Sequence, residues 1–174
     1  MKPEIRIFKN LDELSQNAAR IFAQQAQQAI QERGRFLVAL NGGSTPTRLF
    51  QLLASDYREK VDWTKTHVFW GDERIVPTDS PENSYTQARD LFLRHVSIPE
   101  VNVHRVNTEL DPAEAAKDYA HTLSQFAQPP LGLMRFDLVY LGMGEDGHTA
   151  SLFPGSPVDA TETVIPVTAD YQGR

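Results

Sequence analysis

The chain predicts an α/β fold: a three-layer arrangement with one mainly parallel sheet and helices on both of its faces. Two observations predict it. Short apolar runs alternate along the chain with stretches of helical periodicity, the pattern of strands joined by crossover helices. The runs Phe36–Leu40 and Phe136–Leu141 are apolar almost throughout rather than alternating, as strands covered on both faces are.

The elements follow in order. Ile5 to Phe8 reads as a short strand. Asn10 offers an N-cap, and Glu13 three residues later completes a capping box. Leu14, Ala18, Ile21, Phe22, Ala26, Ala29 and Ile30 fall on one helical stripe, and Gly34 ends that helix. Phe36–Leu40 is a buried strand. Thr45 suits an N-cap and Pro46 the first helical position, so a helix runs on through Leu49, Leu52 and Leu53. His67 to Trp70 is the next strand. Asn83 opens a helix carrying Ala88, Leu91, Phe92 and Val96 that stops before Pro99. Asn102 to Val106 is a short strand. Asp111-Pro112-Ala113-Glu114 caps a helix that buries Ala116, Tyr119, Ala120, Leu123 and Phe126. Gln128 to Gly132 is a surface loop, Phe136 to Leu141 a strand, and Thr163 to Thr168 the last strand. No Pro-, Gly- or Ser-rich linker divides residues 1–174, which read as one domain.

Composition narrows the function. Of 174 residues, 17 are Lys or Arg and 23 are Asp or Glu, a formal charge of −6 that argues against a uniformly basic nucleic-acid-binding surface while leaving room for a local basic pocket. No apolar stretch suits a membrane span, and the first residues lack a secretory h-region. The absence of cysteine excludes disulfides and thiolate chemistry and fits a reducing cytoplasm. Nothing in the sequence bears on oligomeric state.

Three loops, each after a predicted strand, converge on the carboxyl edge of a parallel sheet, where ligands of open α/β folds bind. Gly42-Gly43-Ser44-Thr45 precedes a helix and suits an anion cradle, although the same residues make a tight capped turn. Gly71–Pro77 carries Asp72, Glu73 and Arg74. Arg74 could clamp a phosphate or an oxyanion and Asp72 could orient a base, the alternative being a solvated ion-pair cluster. In the third loop Gly142, Gly144 and Gly147 surround Asp146 and His148. Histidine, with an ordinary pKa of about 6.5, suits general-base work near neutrality. The bland reading is a polar glycine-rich turn. A metal at Asp-x-His lacks further ligands at suitable spacing, so no metal is expected. His67, His95, His104 and His121 read as structural or solvated, and Trp63 and Trp70 as packing residues.

With the segments Gly42–Pro46, Trp70–Pro77 and Asp137–Gly155 in place, the sequence resembles the 6-phosphogluconolactonase family, within the glucosamine-6-phosphate isomerase/deaminase superfamily. The resemblance implies a Rossmann-like fold and hydrolysis of 6-phospho-D-glucono-1,5-lactone to 6-phosphogluconate in the oxidative pentose phosphate pathway, without a metal or other cofactor. It implies that His148 is the general base, with Asp146 and Asp72 in its polar surroundings and Arg74 on the substrate. Gly42, Gly43, Ser44 and Thr45 would belong to the phosphate site, and Gly144 and Gly147 would join them in binding the substrate or its phosphate. Asn41 stands where many relatives have serine, and Asn83-Ser84-Tyr85 reverses a common Ser-Asn-Tyr order. Family members continue beyond the position of Arg174 with further strands, a closing helix and basic residues that help bind phosphate. The chain is therefore expected to be an amino-terminal piece with little activity alone. Two rivals stand beside the lactonase. An isomerase/deaminase calls for an acidic residue soon after the histidine, and Thr149–Phe153 holds none. A non-catalytic phosphosugar-binding domain does not need a general base.

Overall fold

The computed structural model describes residues 3–130, 132–156 and 161–169. In chain order the elements are α1 (Leu11–Arg33), β1 (Phe36–Leu40), α2 (Thr47–Ala54), β2 (Thr66–Trp70), α3 (Ser84–Leu91), β3 (Val103–His104), α4 (Pro112–Ser124), β4 (Ala127–Gln128), β5 (Leu133–Met134) and β6 (Leu138–Val139). Short 3₁₀ turns link several of them. β3, β2, β1 and β6 form one parallel sheet in that order, and β4 and β5 a separate hairpin.

β1 is buried at all five positions because it is paired on both sides and covered on both faces. Successive side chains of a strand point to opposite faces. Phe36, Val38 and Leu40, with Val68 and Trp70, pack against residues of α1, α2 and α3, including Phe22, Leu49, Phe50 and Ala88. Leu37 and Phe69 meet Tyr119 and Leu123 of α4 on the other side. Two polar ties fasten these layers. The Tyr119 hydroxyl accepts from Trp70 N at 2.9 Å and donates to Trp70 O at 3.0 Å. Asp137 accepts from Leu37 N and from Arg33 Nη2, both at 2.8 Å, which locks β6 beside β1.

Local sequence explains the helix ends. Asn10 Oδ1 accepts the N–H of Glu13 at 2.9 Å, and the Glu13 carboxylate reaches back to the N–H of Lys9, one residue upstream of the expected partner. Gly34 closes α1 with φ +76° and donates to Ile30 O. Asp111 caps α4 through Ala113 N and Glu114 N.

The strand expected over Asn102–Val106 is confined to Val103–His104, with Asn102 in a 3₁₀ turn, and further expectations need correction. Ile5–Phe8 is not a strand; Ile5 and Ile7 are 87% and 91% exposed, and no ladder partner lies alongside among the described residues. α2 starts at Thr47, with Pro46 as N-cap and Thr45 outside it, because Ser44–Thr47 forms a turn in which Thr47 N donates to Ser44 O. The helix from Asn83 ends at Leu91 and continues through Phe92 as a 3₁₀ turn rather than reaching Val96. β6 is two residues long, although backbone hydrogen bonds from Asp137 N to Leu37 O and Tyr140 N to Ala39 O extend the pairing. Thr163–Thr168 is irregular; Val164 instead packs on the Leu37–Phe69 side of the sheet. Of the loop expected at Gln128–Gly132, Gln128 belongs instead to β4 and pairs with Leu133, while Pro129, Pro130 and Gly132 lie between β4 and β5. Residues 170–174 lie outside the described part.

All four sheet strands end at one edge. The chain steps outward from β1 to β2 and β3 and then returns to place β6 on β1's other side. This reversal opens a crevice above β1 at the carboxyl edge.

Candidate active site

His148 and Asp146 meet in the loop that follows β6. His148 Nδ1 lies 2.6 Å from Asp146 Oδ1, and the same oxygen accepts the His148 backbone N–H at 3.2 Å. The hydrogen bond from His148 holds the Asp146 carboxyl below its usual range, so Asp146 is ionised at neutral pH. A carboxylate on Nδ1 selects the tautomer whose basic nitrogen is Nε2. The imidazole is 18% exposed and stacks on Phe153, with ring centroids 4.9 Å apart.

The glycines around the pair do separate jobs. Gly147 has φ +87° and lets the chain reverse between Asp146 and His148. Gly144 lies against the pair, and a Cβ there would run into the His148 ring and the Asp146 carboxylate. Gly144 N donates to His148 O at 2.8 Å, and Thr149 Oγ1 donates to Gly142 O at 2.9 Å. The loop is thus closed on itself.

Asp72 reaches this loop through Ser151, whose Oγ donates to Asp72 Oδ2 at 2.7 Å. Arg74 is exposed, and its guanidinium makes no ion pair among the described residues. The solvated ion-pair reading of Asp72-Glu73-Arg74 therefore fails. Glu73 turns inward. Its carboxylate accepts from Arg74 N, Ser84 N and Tyr85 N, each at 2.9 Å. Burial pushes its carboxyl up, against the downward pull of those backbone donors.

The first loop is held from α3. Gly42 is pressed against the Ser84 side chain, where a Cβ would collide with Oγ. Gln87 Nε2 donates to Gly43 O at 2.6 Å. Gly43 has φ +101°, and Ser44 and Thr45 are exposed. No side chain caps α2, unlike α1, α3 and α4. Asn41, with its amide nitrogen turned to the carbonyls, donates to Tyr140 O at 3.0 Å and Leu40 O at 2.9 Å, joining the ends of β1 and β6.

Glu73, Ser84, Gln87 and Ser151 are the members that sequence reasoning missed. The one available signal was the place of Glu73 between Asp72 and Arg74. Its partners lie eleven and twelve residues away, beyond any local periodicity.

The other histidines stay out of the site. His67 and His104 contact each other across β2 and β3, and His95 and His121 are exposed. Trp63 and Trp70 are core residues, each 2% exposed. Among the described residues no group of three or more metal-ligating side chains assembles, and no helix is long and apolar enough to cross a membrane. A cavity of about 430 Å³ lies beside Phe153, lined by Leu152, Pro154 and Ser156 and by Ile165 and Val167. A larger one, about 590 Å³, lies between residues 4–8 and α1 and contains no member of the three loops.

Residues 9–173 match the family model described as glucosamine-6-phosphate isomerases/6-phosphogluconolactonase. A Synechocystis protein named 6-phosphogluconolactonase is 42% identical over 159 residues, which span 90% of this chain and 65% of that protein. The Arabidopsis thaliana protein 6-phosphogluconolactonase 3, chloroplastic, is 38% identical over 88% of this chain and 50% of its own length. The structure of 6-phosphogluconolactonase from Trypanosoma brucei superposes with a TM-score of 0.80 at 31% identity, covering 94% of this chain and 68% of that one. The chain thus spans from half to about two thirds of the length of these curated relatives.

Proposed function

The chain belongs to the glucosamine-6-phosphate isomerase/6-phosphogluconolactonase family, and from that premise we propose that it hydrolyses 6-phospho-D-glucono-1,5-lactone to 6-phosphogluconate with His148 as general base. The observation that carries the reading is the Asp146–His148 pair, 2.6 Å apart on a glycine-built loop at the carboxyl edge of the sheet. A phosphosugar site needs cations and backbone N–H groups, whereas an oriented imidazole is what a hydrolase needs.

The chemistry fits these parts. His148 Nε2 takes a proton from water as its oxygen bonds to the lactone carbonyl carbon. Asp146 keeps the imidazole in the right tautomer and stabilises the imidazolium. The tetrahedral oxyanion collapses, the bond from that carbon to the ring oxygen breaks, and His148 returns the proton to the departing alkoxide. Lactone and water become the open-chain acid, which ionises. Arg74 supplies positive charge to the substrate, and the amino end of α2 with Gly42–Thr45 receives the phosphate. Holding the phosphate away from the reacting carbon orients the carbonyl. The absence of a carboxylate in Thr149–Phe153 weighs against the enolisation of an isomerase or deaminase.

Opening of freshly made 6-phosphogluconolactone, followed against its spontaneous rate with glucosamine 6-phosphate as a parallel substrate, tests the reading. Acceleration of the lactone alone by the full-length protein is expected. Turnover of the amino sugar instead would transfer the site to the isomerase/deaminase branch. Binding of 6-phosphogluconate without turnover would leave a binding domain.

A further inference from the structure

The carboxylate of Glu73 ties the second loop to the amino end of α3, and α3 in turn holds the first loop. Its Oε1 accepts Arg74 N and Ser84 N, and its Oε2 accepts Tyr85 N. Ser84 in turn packs on Gly42, and Gln87, one turn further along α3, donates to Gly43 O. Asn83 Oδ1 takes the next N–H of the helix, that of Thr86, at 3.0 Å. The free N–H groups with which a helix could seize an anion are thus consumed at α3 by two side chains of the protein itself.

A half-buried carboxylate costs stability unless its oxygens are well supplied with donors. Three backbone N–H groups supply them, and they also determine what Glu73 can do. It fixes the peptide that carries Arg74 and the first two amides of α3. Its neighbours in sequence, Asp72 and Arg74, are thereby splayed to opposite uses: Asp72 toward Ser151, and Arg74 outward.

We propose that Glu73 is a positioning residue for lactone hydrolysis. Its carboxylate sets Arg74 and the Gly42–Gly43 loop in one frame, so that both ends of the phosphorylated substrate are met at once. This rests on the lactonase reading of the same site. Glu73 acts on substrate placement and not on the proton transfer at His148, which is carried by a different loop. Its signature is therefore in KM. A hydrogen bond to a charged acceptor is worth about tenfold or more in binding.

Glu73→Gln keeps the size, retains one acceptor oxygen and turns an NH₂ group toward a backbone N–H. The expected result is a KM for 6-phosphogluconolactone raised about tenfold with kcat changed less than about threefold. The decisive arm is a cycle with Arg74→Ala. If Glu73 works through Arg74, adding Glu73→Gln to Arg74→Ala raises KM by less than about twofold. Amide hydrogen exchange at Ser84 and Tyr85 is expected to accelerate in Glu73→Gln. Should that variant fail to fold, Glu73→Asp, which keeps the charge but is shorter by one methylene, carries the same three measurements. Losses that multiply in the double variant, or a lowered Tm at unchanged KM, would overturn the proposal and leave Glu73 a purely structural group. If the full-length unmodified protein does not accelerate lactone opening, the lactonase reading falls. The exchange measurement still decides whether Glu73 anchors α3: unchanged exchange at both amides would remove the anchor itself.

Discussion

The protein sets histidine in two pairings of opposite character. In the loop after β6, His148 is paired with a carboxylate and surrounded by glycines. Between β2 and β3, His104 Nε2 faces His67 Nδ1 at 3.1 Å inside an aromatic box. Phe69 stacks on His104 at 4.3 Å, Phe126 meets it edge-on at 5.0 Å, and Arg35 lies over Phe126. Burial, with the second histidine, pushes His104 down to about 4, and burial with Arg35 lowers His67. The contrast separates two uses of one side chain. A carboxylate prepares an imidazole to accept a proton. Aromatic burial beside a second imidazole and a guanidinium keeps it neutral and makes it part of the packing.

Three changes sharpen or break this contrast. Removing the prepared imidazole has the largest effect: His148→Ala is expected to lower kcat about 10²–10⁴-fold with Tm nearly unchanged. Turnover like that of the unmodified protein would remove His148 from the mechanism. Next comes the glycine beneath the pair. In Gly144→Ala the new methyl collides with the His148 ring and displaces it, and displacement of a reacting group by about 1 Å costs about 100-fold. Gly142→Ala is the control, since a Cβ there meets nothing within 4 Å; its kcat is expected to stay within about twofold, a range typical of a surface change. Equal losses in both variants would show that the loop tolerates no substitution at all and that the Asp146–His148 contact is not the cause.

The smallest effect on turnover is expected from the other pair, where the readout is stability. The folded-state value of His104, about 4, lies below its ordinary 6.5. The folded protein therefore resists the proton that the unfolded chain accepts. This contribution to stability is present above pH 6.5 and is lost as pH falls through about 4. His104→Phe is expected to flatten the fall of Tm across that window and to leave kcat within about twofold. An unchanged acid slope would assign it to other groups, His67 first among them.

How much of this was legible in the residues follows from how far each interaction reaches. Phe36–Leu40 was readable as a buried strand because a run without polar residues tolerates neither face in water. Asn10, Gly34, Asn83 and Asp111 marked helix ends because capping is settled within three or four residues. The Asp146–His148 pair was legible for the same reason, its members being two residues apart with Gly147 between them. Ile5–Phe8 and Thr163–Thr168 have strand-like composition, yet a strand exists only where another backbone offers donors and acceptors, and no local pattern encodes that partner.

The sequence by itself determined the α/β class, the central strand, most helix ends and the three loops that carry the chemistry, because each depends on periodicity or on contacts a few residues long. Only the tertiary structure decided what the loops do to one another. Glu73 was one of three adjacent charges until Ser84 and Tyr85 were brought to it across eleven and twelve residues. Asp72 met Ser151 across 79 residues, and His104 met His67 across 37. A carboxylate buried under backbone donors and one lying in water have the same one-letter code. Their difference lies in desolvation and in donor geometry, which exist only once the strands have aligned.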